Sequence, residues 1–338
     1  MDVSNLVCVA PSLTFTPMRV STLTTTAQLG TLLNLEPLYQ QIPVLEYWDL
    51  TDGALKVEYK DSKGVFHTKG TTFKDIMLKE KPKKSFFNQL TLVVRREIAP
   101  LQWKEVNVKL FRNGGVQVTG VRSQEMAADV LRWLLDHVQR TCRDVFVSTP
   151  TLHKEQVQLV NTDFSIGAKI HREALFELLT KKYKLRATFE SAFYQGVNTK
   201  YFYNKQRPAG VLPGLCGCPV LCKGGGDGET TGECKKITIS PFQTGQVIIT
   251  GARTMEQIME AYEYIKGIFT VEQETVLRKV YSIPGASTAS TASTASTAST
   301  ASTETPAEAP VKRGSSKGGW IQHPCPRNIV SFPSTALQ

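Results

Sequence analysis

Phe242-Gln-Thr-Gly245-Gln-Val-Ile-Ile-Thr250-Gly251-Ala-Arg253 repeats, role for role, what stands 131 positions earlier as Phe111-Arg-Asn-Gly114-Gly-Val-Gln-Val-Thr119-Gly120-Val-Arg122. Each copy has an aromatic residue, a Gly turn three residues later, a short β-branched run, Thr-Gly, and a basic residue that opens an amphipathic segment. The register continues into that segment: Ala127, Val130, Leu131, Leu134 and Val138 fall at the same lag as Ile258, Ala261, Tyr262, Ile265 and Phe269. Both sets follow the spacing of one helix face. A turn, a strand and a helix face that agree in one register predict a duplicated unit with pseudo-two-fold symmetry.

Working outward, the first half reads as a β-branched run over 19–26 and a helix near 34–41. A hairpin-like insertion follows, with strands at 55–59 and 65–68 around Asp61-Ser-Lys-Gly64. Strands at 90–95, 106–110 and 116–119 lead into a helix over 123–140. The second half repeats the order: a strand over 157–166, a helix over 172–182, strands near 197–203, 237–240 and 247–250, then the closing helix. Thr254 with Gln257 three residues on is a capping-box pattern that fixes the start of that helix.

Composition bounds the rest. With 338 residues, 41% hydrophobic, the chain can bury one or two ordinary cores. A formal charge of +10 and a pI near 9.2 favour polyanionic partners, although a solubilising surface would give the same totals. No apolar run reaches membrane-helix length, and the start, Met-Asp-Val-Ser-Asn, lacks the pattern of a secretory leader, so neither a membrane span nor secretion is expected. Six Ala-Ser-Thr triplets over 286–303, within a stretch 284–311, bury too little to offset chain entropy and read as a disordered linker. A basic tail, 312–338, follows it.

Four of the seven cysteines, Cys216, Cys218, Cys222 and Cys234, sit in a Gly-rich insertion over 206–236. They are within reach of one tetrahedral Zn²⁺, and the surrounding glycines allow the turns that metal closure needs. The alternative is a flexible loop with unligated thiols. Enzyme readings find little support: no Gly-Lys-Ser/Thr phosphate loop occurs, Gly224-Gly-Gly-Asp-Gly228 does not follow a strand into a helix, and the five histidines are scattered.

Two such half-units can join into one antiparallel sheet, with the closing helices over one face and the other face open. An open face lined by β-branched residues, Thr and Phe would be an apolar patch, which marks an interface. The minor groove of DNA suits it, because apolar side chains can wedge between base steps there.

The two Phe-x-x-Gly-x-x-x-x-Thr-Gly segments resemble the signature segments of the TATA-box-binding protein family. Thr188-Phe-Glu-Ser-Ala-Phe193-Tyr194-Gln-Gly196 is similar to that family's acidic-Phe-Pro-Gly segment with one extra residue, and Lys84-Ser-Phe86-Phe87 holds the corresponding place in the first half. The matches span residues 17–272. The resemblance implies an α+β fold: a pseudo-two-fold saddle of two repeats, each a curved antiparallel sheet with two helices, forming one continuous sheet with helices on the convex face. Repeat 1 would cover 17–145 with an insertion at about 44–82 and repeat 2 would cover 155–272, after an N-terminal extension over 1–16.

The family kinks DNA with pairs of Phe wedges, a known trait of the family rather than a consequence of this sequence. The matching positions are Phe87 with Phe111 and Phe193 with Phe242, with Tyr194 competing for the place of Phe193. The resemblance further puts Thr119, Thr250, Ile248 and Asn161 on the groove floor and Arg122 and Arg253 at phosphates. It implies AT-rich promoter DNA, general transcription factors and RNA polymerase as partners, no required cofactor, no small-molecule substrate, and a nuclear or viral-factory location.

Departures mark a divergent chain, most like those of large DNA viruses. The central Asn of each half is replaced, by Met18 or Arg19 in the first and by Leu159 in the second. Lys109, Gln117 and Ser240 are polar where the family is apolar. Two other readings stay open: a protein-interaction scaffold of the same fold with weakened DNA binding, and a substrate-gripping domain of a nucleic-acid enzyme.

Overall fold

The computed structural model describes residues 7–9, 12–77, 88–220 and 222–282. Phe86, Phe87, the Ala-Ser-Thr segment, the basic tail and Cys325 lie outside the described residues. The elements run β1 (Val7–Val9), β2 (Arg19–Gln28), α1 (Leu35–Gln41), β3 (Gly53–Lys60), β4 (Phe66–Gly70), α2 (Phe73–Met77), β5 (Gln89–Ala99), β6 (Gln102–Phe111), β7 (Gly115–Val121) and α3 (Gln124–Thr141). They continue β8 (His153–Ser165), α4 (Arg172–Lys181), β9 (Arg186–Glu190), β10 (Tyr194–Tyr203), β11 (Lys235–Pro241), β12 (Gln246–Ala252), α5 (Met255–Val271), α6 (Gln273–Val276) and β13 (Val280–Ser282).

Eleven of these strands form one antiparallel sheet in the order β4-β3-β5-β6-β7-β2-β8-β12-β11-β10-β9, and β1 pairs separately with β13. Its centre is the β2·β8 pair, where Leu23 stands opposite Val160. Outward from that pair, the first flank runs β7, β6, β5 and the second β12, β11, β10. The turns recur as well: Leu29 N–H donates to Gly114 O and Ile166 N–H to Gly245 O, while Leu33 N–H donates to Arg112 O and Ile170 N–H to Gln243 O.

Alternation along the strands explains the layering. Val116, Val118, Val247 and Ile249 are buried, and they share one core with the stripes of α3 (Val130, Leu131, Leu134, Val138) and α5 (Ile258, Ala261, Ile265, Phe269). At about 25 cal/mol per Å² of apolar surface, each such Leu or Phe contributes roughly 1.5–3 kcal/mol. Both stripes are the ones that the sequence spacing picks out. Both long helices also start on a side-chain cap: the Ser123 hydroxyl accepts from Met126 N–H at 3.1 Å, and Thr254 from Gln257 N–H at 3.3 Å. The Gln257 side chain reaches back to Arg253 N–H at 2.8 Å.

The hairpin expected over 55–68 forms as β3 with β4, and β3 pairs with β5 so that the hairpin extends the sheet. It closes over a buried charge. Lys56, 6% exposed, holds its ammonium 2.6 Å from Asp75 and 3.2 Å from Glu58, and Asp75 also accepts from the Thr72 amide and hydroxyl at 3.0 and 2.6 Å. Burial works against the Asp75 charge, but the Lys56 ammonium and the Thr72 donors outweigh it and hold the carboxyl down at about 2. A folded value below the unfolded one gives stability that is present above about pH 4 and lost as pH falls towards 2. Asp75→Asn is therefore expected to cost about 1–2 kcal/mol at neutral pH, reduced by water on the carboxylate's open side, and to flatten the stability curve between pH 2 and 4. Urea midpoints of both proteins across that range check it.

Candidate nucleic-acid interface

The face of the sheet turned away from α3 and α5 is built by the alternate strand residues. On β2 these are Thr22, Thr24 and Thr26, half-buried between the buried Leu23, Thr25 and Ala27. β7 contributes Gln117 and Thr119, β12 contributes Ile248 and Thr250, and β8 contributes Leu159 and Asn161. Register aligns them in rows across the strands. One row runs Asn107, Thr119, Thr24, Leu159; another runs Lys200, Thr238, Thr250 and, through its side chain, Asn161, which stands opposite Thr22.

Hydrogen bonds tie the second row together. Lys200 Nζ donates to Thr238 Oγ1 at 2.9 Å, and the Thr250 hydroxyl donates to Asn161 Oδ1 across a strand bulge between Ile249 and Ala252. Nearby, the Gln158 amide donates to Thr26 Oγ1 at 2.9 Å, and Arg19 and Gln246 both donate to Asp163 Oδ2, at 2.8 and 2.9 Å. The face is therefore a polar lattice of Thr, Asn, Gln and Lys, with Ile248 and Leu159 as apolar islands. This departs from the apolar patch expected from the sequence. Threonine suits strands on either face, so composition alone does not say that Thr22, Thr24 and Thr26 point outward while Thr25 points in.

At the far end of the second flank, Phe242 closes the β11–β12 turn, half-buried. The ring beside it is that of Tyr194, edge-on with centroids 5.6 Å apart, and Gly196 leaves the space for the pair. Phe193 stands in the preceding turn, 91% exposed. The structure thus brings Tyr194, not Phe193, against Phe242. The register between β9 and β10 shifts between Tyr194 and Asn198. Phe111 occupies the equivalent turn of the first flank, half-buried, opposite Gln89.

Cations gather near the outer second flank. Burial and the charge of Lys236 lower the pKa of Lys200, while burial and the charge of Arg253 lower that of Lys235. Arg253 is half-buried with its Nε unpartnered, whereas Arg122, its counterpart in the first flank, is exposed.

The four cysteines of the insertion converge. Their Sγ atoms all lie within 4.8 Å of one another and can hold a metal ion. Burial opposes ionisation of Cys216, yet hydrogen bonds from the Cys218 and Cys222 amides and thiols hold it down at about 7, while burial pushes Cys218 and Cys234 up. Cys142 is buried in the core of the first flank, with its thiol pushed up by burial. Among the described residues, no helix is long and apolar enough to cross a membrane.

No protein-family profile matches the chain. A curated protein of Acanthamoeba polyphaga mimivirus, "TATA-box-binding protein-like", is 28% identical over 271 residues, 75% of this chain and 65% of that protein. The chain thus spans just under two thirds of that relative's length. Among solved structures, the TBP of Methanococcus jannaschii matches with a TM-score of 0.41 and 14% identity, covering 77% of this chain and 99% of that one. On its sequence, the chain is a divergent relative of the mimiviral TATA-box-binding protein-like protein.

Proposed function

We propose that the chain is a transcription initiation factor that binds double-stranded DNA through the helix-free face of its sheet, in the minor groove, and bends it. In this reading the two flanks are the halves of a pseudo-two-fold saddle, repeat 1 over 17–145 and repeat 2 over 155–272. The observation that carries it is the matched placement of the repeated segments: Phe111 and Phe242 at the outer turns, with Thr119 and Thr250 inward of them on the same open face. Phe242 with Tyr194, and Phe111 with an aromatic from the segment that contains Phe87, wedge into base steps. Such wedging costs a few kcal/mol per step and is offset by contacts that the opened groove makes with the sheet. Phe193 projects beside the second wedge.

The floor suits degenerate readout. Minor-groove A·T pairs present only acceptors, and Thr hydroxyls, the Asn161 amide and the Lys200 ammonium supply donors to them. Leu159 and Ile248 give apolar contact. Arg122, Arg253 and Lys236 meet phosphates, which position the duplex without reading it. No cofactor takes part in these contacts and no bond is made or broken. The solvent-facing sides of α3 and α5 contact general transcription factors and RNA polymerase, in the nucleus or in a viral factory.

A gel-shift titration of an AT-rich duplex, a GC-rich duplex and a single strand tests the reading. The AT-rich duplex is expected to bind best, and raising salt from roughly 50 to 200 mM to weaken all binding by orders of magnitude. No duplex binding at low salt would sink it and leave the protein-interaction scaffold, which the polar Lys109, Gln117 and Ser240 also suit. Tyr194→Ala is expected to weaken the duplex complex more than Phe193→Ala; the reverse order in the same titration would assign the second wedge to Phe193.

A further inference from the structure

We infer that Cys216, Cys218, Cys222 and Cys234 bind one Zn²⁺ as a tetrathiolate, and that this ion is the core of the insertion between β10 and β11. Hydrogen bonds tie the insertion to the neighbouring elements, but among its described residues between Asn204 and Cys234 no helix or strand forms. Its composition is Gly-rich, and between β10 and β11 its ladder contacts are the isolated bridges Phe202–Gly214 and Gly225–Lys235. Yet it is folded back on itself so that four thiols meet. Cys216 and Cys222 Sγ atoms are 3.5 Å apart, Cys218 and Cys234 3.4 Å, and Cys234 and Cys216 3.9 Å.

Zinc decides between the ways four thiols can meet. A tetrahedral ion with Zn–S bonds of about 2.3 Å requires sulfurs about 3.8 Å apart along every edge. Two separate disulfides would bring sulfurs together in pairs at about 2.05 Å and would not require the pairs to meet one another. Mutual proximity of all four is the signature of one ion. A set of four sulfur donors selects a soft or borderline cation over Mg²⁺ or Ca²⁺. The Asn204 amide donates to Cys234 Sγ at 3.8 Å, the outer contact that orients a thiolate ligand.

The ion would fix a clasp around one corner of the sheet. Lys236 N–H donates to Gly224 O at 2.9 Å, Lys205 N–H to Gly228 O at 2.8 Å, and Gln257 Nε2 to Asp227 O at 2.6 Å. A side chain at Gly224 would collide with Lys236 Cβ at 2.4 Å and meet the Phe202 ring at 3.0 Å, so this strand of the clasp lies directly on residues that share the face of Lys200 and Thr238. The clasp thereby joins β10, β11 and the first turn of α5.

Metal analysis of the full chain, purified with Zn²⁺ and without chelator, tests this independently of any DNA. About one zinc per chain is expected. Exchange for Co²⁺ should give the visible absorption of a tetrahedral thiolate site. Cys218→Ser and Cys222→Ser should lower metal affinity at least tenfold, and Cys325→Ser should leave it unchanged. Because a ligand variant can fail to fold, hydrogen exchange on the wild-type chain serves as the second measurement. Chelation should speed exchange at Lys205, Gly228 and Lys236 while β7 and α3 keep their protection. Zinc-free protein from zinc-replete preparations, a thiol count showing two disulfides, or unchanged exchange on chelation would each overturn the proposal.

Discussion

Phe111→Ala together with Phe242→Ala is expected to abolish bending of an AT-rich duplex while leaving the fold intact. Both rings are half-buried at sheet turns rather than in the core shared with α3 and α5, so their truncation leaves the layer of buried Val, Ile and Leu in place. The loss falls on the complex. A ring that stacks on a base contributes about 1–3 kcal/mol, roughly 5- to 150-fold in Kd for each substitution. Phe242→Ala should be the costlier single change, because Tyr194 then loses the ring it packs against at 5.6 Å. Fluorescence transfer between duplex ends, read with affinity in one titration, separates the outcomes. Wild-type bending that vanishes in the double variant is the expected result. Bending that survives it would remove the wedges, and binding without bending in the wild type would reduce the complex to phosphate contacts.

The second large effect is on stability. Gly245→Ala is expected to cost about 3–5 kcal/mol, a large part of the 5–15 kcal/mol that holds an ordinary domain. Two costs combine. Gly245 has φ +90°, a left-handed conformation that costs a side-chain-bearing residue roughly 1–2 kcal/mol. A Cβ there would also stand 2.2 Å from Ala168 O, a backbone atom that cannot swing aside without breaking the neighbouring bond from Ile166 N–H to Gly245 O. Gly114, at φ +80° with Thr31 O at 2.2 Å, predicts a like cost in the first flank. Denaturant unfolding of each single variant checks both. A shift below about 1 kcal/mol would mean that these turns relax freely, and that the repeated glycines do not serve the fold.

That pair also shows what the sequence made legible. The repeat at a lag of 131 carried the turn glycines, the strand after them and the helix stripe, because each obeys a local rule: a left-handed φ, alternation of two, or spacing of three and four. The hairpin over β3 and β4 and the capping of α5 by Thr254 and Gln257 were readable for the same reason. Features set by distant partners were not. The short edge strand β9 carries only five residues, and its place is set by β10 and α4 rather than by any local rule in its own sequence. Which aromatic meets Phe242 depended on the register of β10, and the polarity of the open face on which way the β2 threonines point.

Register also refines the central positions. Leu23 faces Val160 at the middle of the sheet, so Thr22 is the counterpart of Leu159, and Thr24 that of Asn161. Met18 and Arg19, the positions suggested by sequence for the first half, lie further along the chain from that centre. In the proposed complex the middle of the site would thus meet Thr22, Thr24, Leu159 and Asn161, an unequal set that predicts unequal preference for the two half-sites.

The central claim is that this face reads a minor groove, and inosine–cytosine substitution tests it most directly. An I·C pair offers the minor groove of A·T, lacking the guanine 2-amino group, but the major groove of G·C. The full chain is expected to bind an I·C duplex nearly as well as its A·T parent and far better than the G·C version. Binding of I·C at the level of G·C would contradict the account.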